Sequence, residues 1–324
     1  MNKLYVVIPC YNEEEVLKET AKRIKKKMNE LRKKKLIHRD SHVVFINDGS
    51  KDKTWEIISS LVEKDTLFGG ISLSRNRGHQ NALLAGLMTV KEDADMVISM
   101  DADLQDDIDV MEQFILKYQE GYDIVYGVRS SRKKDSFFKR TTAILFYKLM
   151  SFMGVETVYN HADYRLMSKR ALDGLEQFQE VNLFLRGMIP LVGYSSTVVP
   201  YERNRRFAGE SKYPLKKMIN FALDGITSFS VKPIRFITIL GFLISLISVV
   251  MFVYTIVRHV LGYTIVGWSS IIISLWFLGG IQILSLGVIG EYIGKIYMEV
   301  KARPRYIISE RTWTKQNEDE EKGE

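Results

Sequence analysis

The sequence predicts an α/β domain built on a mostly parallel sheet, followed by two membrane-spanning helices. Three observations carry this. From residue 4 to residue 128, short apolar runs rich in β-branched residues alternate with helical patterns, the signature of strand–helix–strand units. Polar residues recur where the strand patterns stop. After Pro233 the chain changes character and is dominated by long apolar runs.

The strands and helices follow in order. Leu4 to Pro9 reads as a first buried strand, and a helical pattern runs from the glutamates at 13–15 to about Lys35, with Asn12 as a candidate cap. Val43 to Ile46 is a second strand, Gly49 a turn, and Lys53 to Val62 a helix. Ile71 to Ser74 is a third strand, and a helix through Ala82 and Leu87 follows Arg75-Asn76-Arg77-Gly78-His79. Met96 to Met100 is the fourth strand, Val110 to Gln119 a helix, and Asp123 to Val128 the fifth strand.

The fourth strand exits into Asp101-Ala102-Asp103. Side chains two apart on a strand point the same way, so a short loop can bring both carboxylates to one hard cation. Mg²⁺ or Mn²⁺ suits such oxygen ligands. A lone D-x-D is better read as a solvated turn or a helix cap. Here it has company. Asn12, Glu13, Asp48 and Arg75 also stand at strand carboxyl ends, where ligands bind in open parallel sheets.

The 324 residues suffice for one large domain and an appendage, and the formal net charge of +7 suits anionic lipid or phosphate-bearing substrates. The basic residues are not interleaved with stacking aromatics, so no nucleic-acid partner is expected. Cys10 is the only cysteine, which excludes an internal disulfide and fits a reducing compartment. The apolar run at Leu4 to Pro9 is too short for a signal peptide.

Five stretches resemble the family 2 glycosyltransferases of GT-A fold, and among them the polyprenyl-phosphate sugar transferases. They are Val7-Ile8-Pro9-Cys10-Tyr11-Asn12-Glu13-Glu14, Asn47-Asp48-Gly49-Ser50-Lys51-Asp52, Ser74-Arg75-Asn76-Arg77-Gly78, Asp101-Ala102-Asp103-Leu104-Gln105-Asp106 and Arg206-Phe207-Ala208-Gly209-Glu210-Ser211-Lys212-Tyr213. Two departures stand out: Asn47 where the family commonly has Asp, and Asp107-Ile108 where prolines are common. The resemblance implies a Rossmann-like GT-A catalytic domain and a nucleotide-sugar donor, UDP-linked, resting against Pro9, Tyr11, Asn12, Glu13, Asp48, Arg75, Asp101 and Gln105. It implies Mg²⁺ or Mn²⁺ on Asp101 and Asp103, inversion at the anomeric carbon, and a polyprenyl phosphate acceptor. It makes Asp103 and Asp163 the catalytic carboxylates, Asp163 through the Ala162-Asp163-Tyr164-Arg165 match. The residues themselves leave open whether Asp163 is a base, an orienting group or half of a structural pair with Arg165. The Gln-x-x-Arg-Trp element of processive synthases is absent, which points to transfer of a single sugar.

For the acceptor phosphate the candidates are Arg129, directly after the fifth strand, and Arg206, Ser211 and Lys212 ahead of the membrane segments. The expected organisation is a catalytic domain at 1–210, an amphipathic juxtamembrane segment at 211–232, two spans within 233–293 and a C-terminal tail at 294–324. Phe236 to Val257 carries no charge and Val266 to Gly290 only Gln282 as a strongly polar residue. Each is long enough, at about 1.5 Å per residue, to cross roughly 30 Å of hydrocarbon. Lys and Arg flank the pair on the outer ends, so both termini are expected in the cytoplasm of a bacterial cell with membrane lipid as a partner. Gly279, Gly280, Gly287 and Gly290 suit close helix packing, within the hairpin or in a homo-oligomer. A glycolipid or membrane-bound glycan acceptor, or a non-catalytic membrane scaffold, are the other readings.

Overall fold

The structure is a computed structural model and describes residues 1–130, 161–202, 226–227, 230–261 and 267–312. They fall into two units. Residues 1–130, 161–202 and 303–312 form the first, and the described residues from 226 to 302 form the second.

The first unit is an eight-stranded sheet in the order β7-β5-β6-β4-β1-β2-β3-β8. Its strands are β1 (Leu4–Cys10), β2 (His42–Asn47), β3 (Phe68–Leu73), β4 (Met96–Ser99), β5 (Ile124–Arg129), β6 (His161–Ser168), β7 (Ser196–Tyr201) and β8 (Ile308–Arg311). Strands β1 to β4 are mutually parallel, as their continuous apolar runs foretell, and β5 and β7 share their direction. Strand β6 runs antiparallel between β4 and β5, and β8 antiparallel on β3. The first five strands match the sequence expectation within a few residues; β6, β7 and β8 do not follow from it.

The covering helices are α1 (Leu17–Lys33), α2 (Thr54–Lys64), α3 (His79–Val90), α4 (Met111–Gln119), α5 (Lys169–Glu176) and α6 (Leu185–Leu191). In α1, Leu17, Ala21, Ile24, Met28 and Leu31 recur at three- and four-residue spacing and are all buried. Helix α3 lies close on the sheet because of Gly86, where a Cβ would stand 2.4 Å from Val7 and 2.8 Å from Ile46. Asn12 does not cap α1. The helix starts at Leu17, and the Glu13 carbonyl accepts from Val16 and Leu17 instead.

The tail expected at 294–324 is divided. A helix runs on to Lys301, and residues from Arg303 rejoin the first unit. There the Ser74 amide donates to the Ile307 carbonyl (2.9 Å) and Trp55 Nε1 to Glu310 Oε2 (3.2 Å).

In the second unit, α7 (Lys232–Val260) and α8 (Trp268–Lys301) are long apolar helices. Both contain stretches long and apolar enough to cross a membrane, Lys232–Met251 and Phe277–Lys301, with none of either stretch buried in protein. The exposed side chains include Phe236, Phe242, Ile283 and Leu286. That surface is unfavourable in water and natural in hydrocarbon.

Candidate active site

The loops at the carboxyl ends of β1, β2 and β3 are tied to one another. The Asp48 amide donates to the Cys10 carbonyl (2.9 Å), the Asn12 amide to Ser50 Oγ (3.0 Å), and the Lys51 amide to Asn12 Oδ1 (2.9 Å). Asn12 adopts a positive φ of 54° to do this, a conformation that Asn tolerates better than most residues. The Glu13 amide donates to Thr54 Oγ1 (2.9 Å). Asp48 accepts from the Arg77 amide (2.7 Å) on one oxygen and the Gly78 amide (2.9 Å) on the other. It therefore holds the 75–78 loop. Gly49 is required here: its φ is +62°, and a Cβ would stand 2.5 Å from the Asn76 nitrogen. Asn47, a departure from the family pattern, donates its amide to Ser72 Oγ (2.9 Å) and accepts from the Ser50 amide (3.0 Å). An ionised Asp could accept but not donate. Pro9 is buried in β1, whereas Tyr11 (42 % exposed) and Arg75 face solvent.

Beyond β4 the chain gathers carboxylates. Asp103 and Asp106 are buried. The Gln105 amide donates to Asp103 Oδ1 (3.1 Å), closing a tight turn through Leu104 at a φ of 58°. Tyr201 of β7 donates its hydroxyl to Asp106 (2.6 Å), and Tyr164 of β6 donates to the Asp107 carbonyl (2.9 Å). Burial, then the charges of Asp163 and Asp103, raise the Asp101 carboxyl above its ordinary range. Burial and the Asp101 charge push Asp106 up to about 7. Such crowding of acids is relieved by a cation. Among the described residues no group of three His, Cys, Asp or Glu side chains is placed to hold a metal ion by itself. Two oxygen donors completed by substrate phosphate and water suit Mg²⁺ or Mn²⁺, so the residues present fit the expected metal.

Asp163 arrives from β6. The register sets Ser99 against Arg165, and Ser99 Oγ donates to the Asp163 carbonyl (2.6 Å). Alternation along the strand puts Asp163 and Arg165 on one side and Tyr164 on the other, where Tyr164 packs against Phe114 and Tyr201. Arg165 Nη2 donates to Asp163 Oδ1. Arg186 of α6 adds Nε to Oδ1 (3.2 Å) and Nη2 to Oδ2 (3.0 Å). His79, the first residue of α3, holds Nε2 3.6 Å from Asp163 Oδ2 and 3.5 Å from Asp101 Oδ1. Burial opposes ionisation of Asp163, but Arg186, His79 and Arg165 outweigh it and hold the carboxyl well below its usual range. His79 keeps 40 % of its side chain exposed; partial desolvation opposes its protonation, yet Asp163 and Asp101 push its pKa up to about 9.

The structure thus brings Asp101, Asp103 and Asp163 to the carboxyl end of the parallel strands, with Asp48, Asn12 and Glu13 in the adjoining loops. Arg129 ends β5 opposite Tyr201, whose hydroxyl reaches Asp106. Arg206, Ser211 and Lys212 lie outside the described residues, as does most of the 211–232 segment. Sequence reasoning missed His79 and Arg186. Arg186 had a visible signal, a lone cation in Leu183-Phe184-Leu185-Arg186-Gly187-Met188-Ile189.

An open, mostly parallel α/β sheet with carboxylates gathered beyond its strand ends is the arrangement of the GT-A fold. The family signature described as Glycosyl transferase family 2 matches residues 5–175, and that described as the GtrB C-terminal hairpin matches residues 232–296. The chain belongs to glycosyl transferase family 2, and it is a glycosyltransferase. It is 54 % identical over 305 residues to the uncharacterized glycosyltransferase YkoT of Bacillus subtilis (strain 168), covering 94 % of this chain and 90 % of that protein. It is 41 % identical over 311 residues to the bactoprenol glucosyl transferase of Shigella phage SfX, covering 95 % of this chain and 99 % of that one. The SfII prophage-derived bactoprenol glucosyl transferase of Shigella flexneri is 42 % identical over 308 residues, covering 94 % of this chain and 97 % of that one.

Proposed function

We propose that this enzyme moves a single sugar from a nucleotide-sugar, UDP-linked, to a polyprenyl phosphate at the cytoplasmic face of a bacterial membrane, with inversion and with a divalent metal. The carrying observation is the meeting of Asp101 and Asp163 at His79, beyond the strand ends of the sheet. The bactoprenol glucosyl transferases, similar over nearly their whole length and hairpin included, support the acceptor class. The nucleotide rests against Tyr11, Arg75 and the loops that Pro9, Asn12, Glu13, Asp48 and Gln105 build. Asp101 and Asp103 would hold Mg²⁺ or Mn²⁺, which would neutralise charge on the leaving diphosphate. Arg129, with Arg206, Ser211 and Lys212, receives the acceptor phosphate through charge-assisted donors.

The reaction is one displacement. An acceptor phosphate oxygen bonds to the anomeric carbon, the bond from that carbon to the donor diphosphate breaks, and the nucleoside diphosphate leaves. A phosphate monoester with a second pKa near 6 is largely dianionic at neutral pH, so no strong base is needed. A carboxylate already bonded by two arginines fits that demand. A sugar hydroxyl acceptor would need a free base and is the weaker reading. The segments on both sides of the hairpin belong to one unit, which supports an even number of crossings and both termini in the cytoplasm.

The deciding experiment incubates purified enzyme with undecaprenyl phosphate and a panel of nucleotide-sugars, with Mg²⁺, Mn²⁺ or EDTA, and identifies the lipid product by mass spectrometry. A polyprenyl-phosphate sugar formed only with metal is expected. Transfer to a glycolipid hydroxyl with none to the phosphate would replace this reading with its rival.

A further inference from the structure

Four hydrogen-bonding positions are available on an ionised carboxylate, about two to each oxygen. Asp163 Oδ1 accepts from Arg165 Nη2 and Arg186 Nε, and Oδ2 accepts from Arg186 Nη2 and faces His79 Nε2 at 3.6 Å. Little room remains for a transferred proton. The two arginines differ. Arg165 is 1 % exposed and comes from the same strand, so it is fixed with Asp163. The Arg186 side chain is 31 % exposed and comes from α6, a seven-residue helix with Pro190 inside it. The start of α6 is tied elsewhere: Gln80 Oε1, in the first turn of α3, accepts from the Leu185 amide (2.8 Å). Gly78, the residue before α3, is held in turn by Asp48. One short stretch, 77–80, therefore touches the β2 loop through Asp48, Asp101 and Asp163 through His79, and the base of Arg186 through Gln80.

From this we infer that Arg186 is a positioning residue for the reaction: it fixes the plane and aim of the Asp163 carboxylate, and Gln80 sets the backbone beside Arg186. This rests on the proposal above only in giving Asp163 a part in turnover. A bidentate guanidinium fixes the plane of a carboxylate, which a single ammonium cannot do. Misplacing a group near the reacting atoms by a fraction of an ångström is costly in rate without being costly in binding.

The test is a double-mutant cycle on the full-length enzyme in detergent, with steady-state constants for donor and acceptor and a melting curve for each variant. Arg186→Gln should lower kcat by about a hundredfold and move either KM by less than about threefold. Arg186→Lys should recover about tenfold of that loss, since it restores charge without the fork. Gln80→Leu, which leaves Arg186 in place and serves if Arg186→Gln misfolds, should lower kcat by about threefold to tenfold. On an Asp163→Asn background, both Arg186→Gln and Gln80→Leu should cost nothing further. Losses that multiply on that background, a raised KM for one substrate, or wild-type turnover in Arg186→Gln would each overturn the inference. Wild-type turnover in Asp163→Asn would instead overturn the part given to Asp163 above, and the inference with it, so the two failures are told apart.

Discussion

The loop after β4 and the strand β6 deliver the same functional group into opposite surroundings. On the loop, burial and mutual repulsion raise Asp101 and Asp106 above the ordinary carboxylate range. On the strand, Arg186, His79 and Arg165 overcome burial and hold Asp163 well below it. Pairs of acids pushed apart in this way mark a division of labour. Where the chain gathers carboxylates that repel one another, a cation arriving with the substrate would relieve them. Where it fixes its own cations, as Arg165 and Arg186 on Asp163, the carboxylate is held charged and in place. His79 lies between the two, within 3.6 Å of each.

If the division is real, removing one charge from each side should have different consequences. Asp103→Asn should have the largest effect. It takes away a hard ligand and a negative charge together, and we expect transfer to fall by about a thousandfold or more, with metal-dependent donor binding weakened in parallel. Titration calorimetry with UDP-sugar, with and without Mn²⁺, checks this, and undiminished metal-dependent binding would sink the assignment. Asp163→Asn comes next. Turnover should drop by about a hundredfold while donor affinity with metal stays within about twofold. Equal losses in both quantities would erase the contrast between the two regions.

Much of this was legible in the sequence, and the illegible part has a physical cause. Strands β1 to β5 announce themselves because burial on both faces demands continuous apolar runs, as in Leu4–Cys10. The Asp101-Ala102-Asp103 site is local, so its spacing could be read directly. Strand β6, His161–Ser168, carries Asp163 and Arg165 on the side that meets the site, and these charges mask its strand character. Strand β8, Ile308–Arg311, is exposed at every residue and leaves no buried face to read. His79 and Arg186 depend on partners 84 and 23 positions away in the chain, and only the sheet order that sets β6 beside β4 brings them to Asp163. Asn12 looked like a helix cap because caps and loop latches use the same short polar side chains.

The smallest effect we expect is on stability, and its sign separates the two regions. Asp106 is 3 % exposed and its pKa is raised from 3.8 to about 7 by burial and Asp101, against the pull of Tyr201 and Arg129. Between those two pH values the folded protein keeps a proton that the unfolded chain has lost. The stability contributed by the protonated group is therefore complete below about pH 4 and is lost as pH rises through about 7. Asp106→Asn is neutral throughout and keeps an acceptor for the Tyr201 hydroxyl. In EDTA at pH 8 it should melt at least about 3 °C above the wild type, since about 1 kcal/mol corresponds to roughly 2–4 °C in a protein of this size. At pH 5.5 that advantage should shrink, and Mg²⁺ at pH 8 should shrink it too by supplying the missing positive charge. Asp163 has the opposite sign. Its depressed pKa gives stability that is full above the ordinary carboxylate range and lost only as pH falls through the lower folded value. Asp163→Asn should therefore melt below the wild type at pH 8, with or without Mg²⁺. Two variants that shift melting in the same direction at pH 8 in EDTA would mean that both carboxylates are compensated alike, and that the loop after β4 does not wait for a cation.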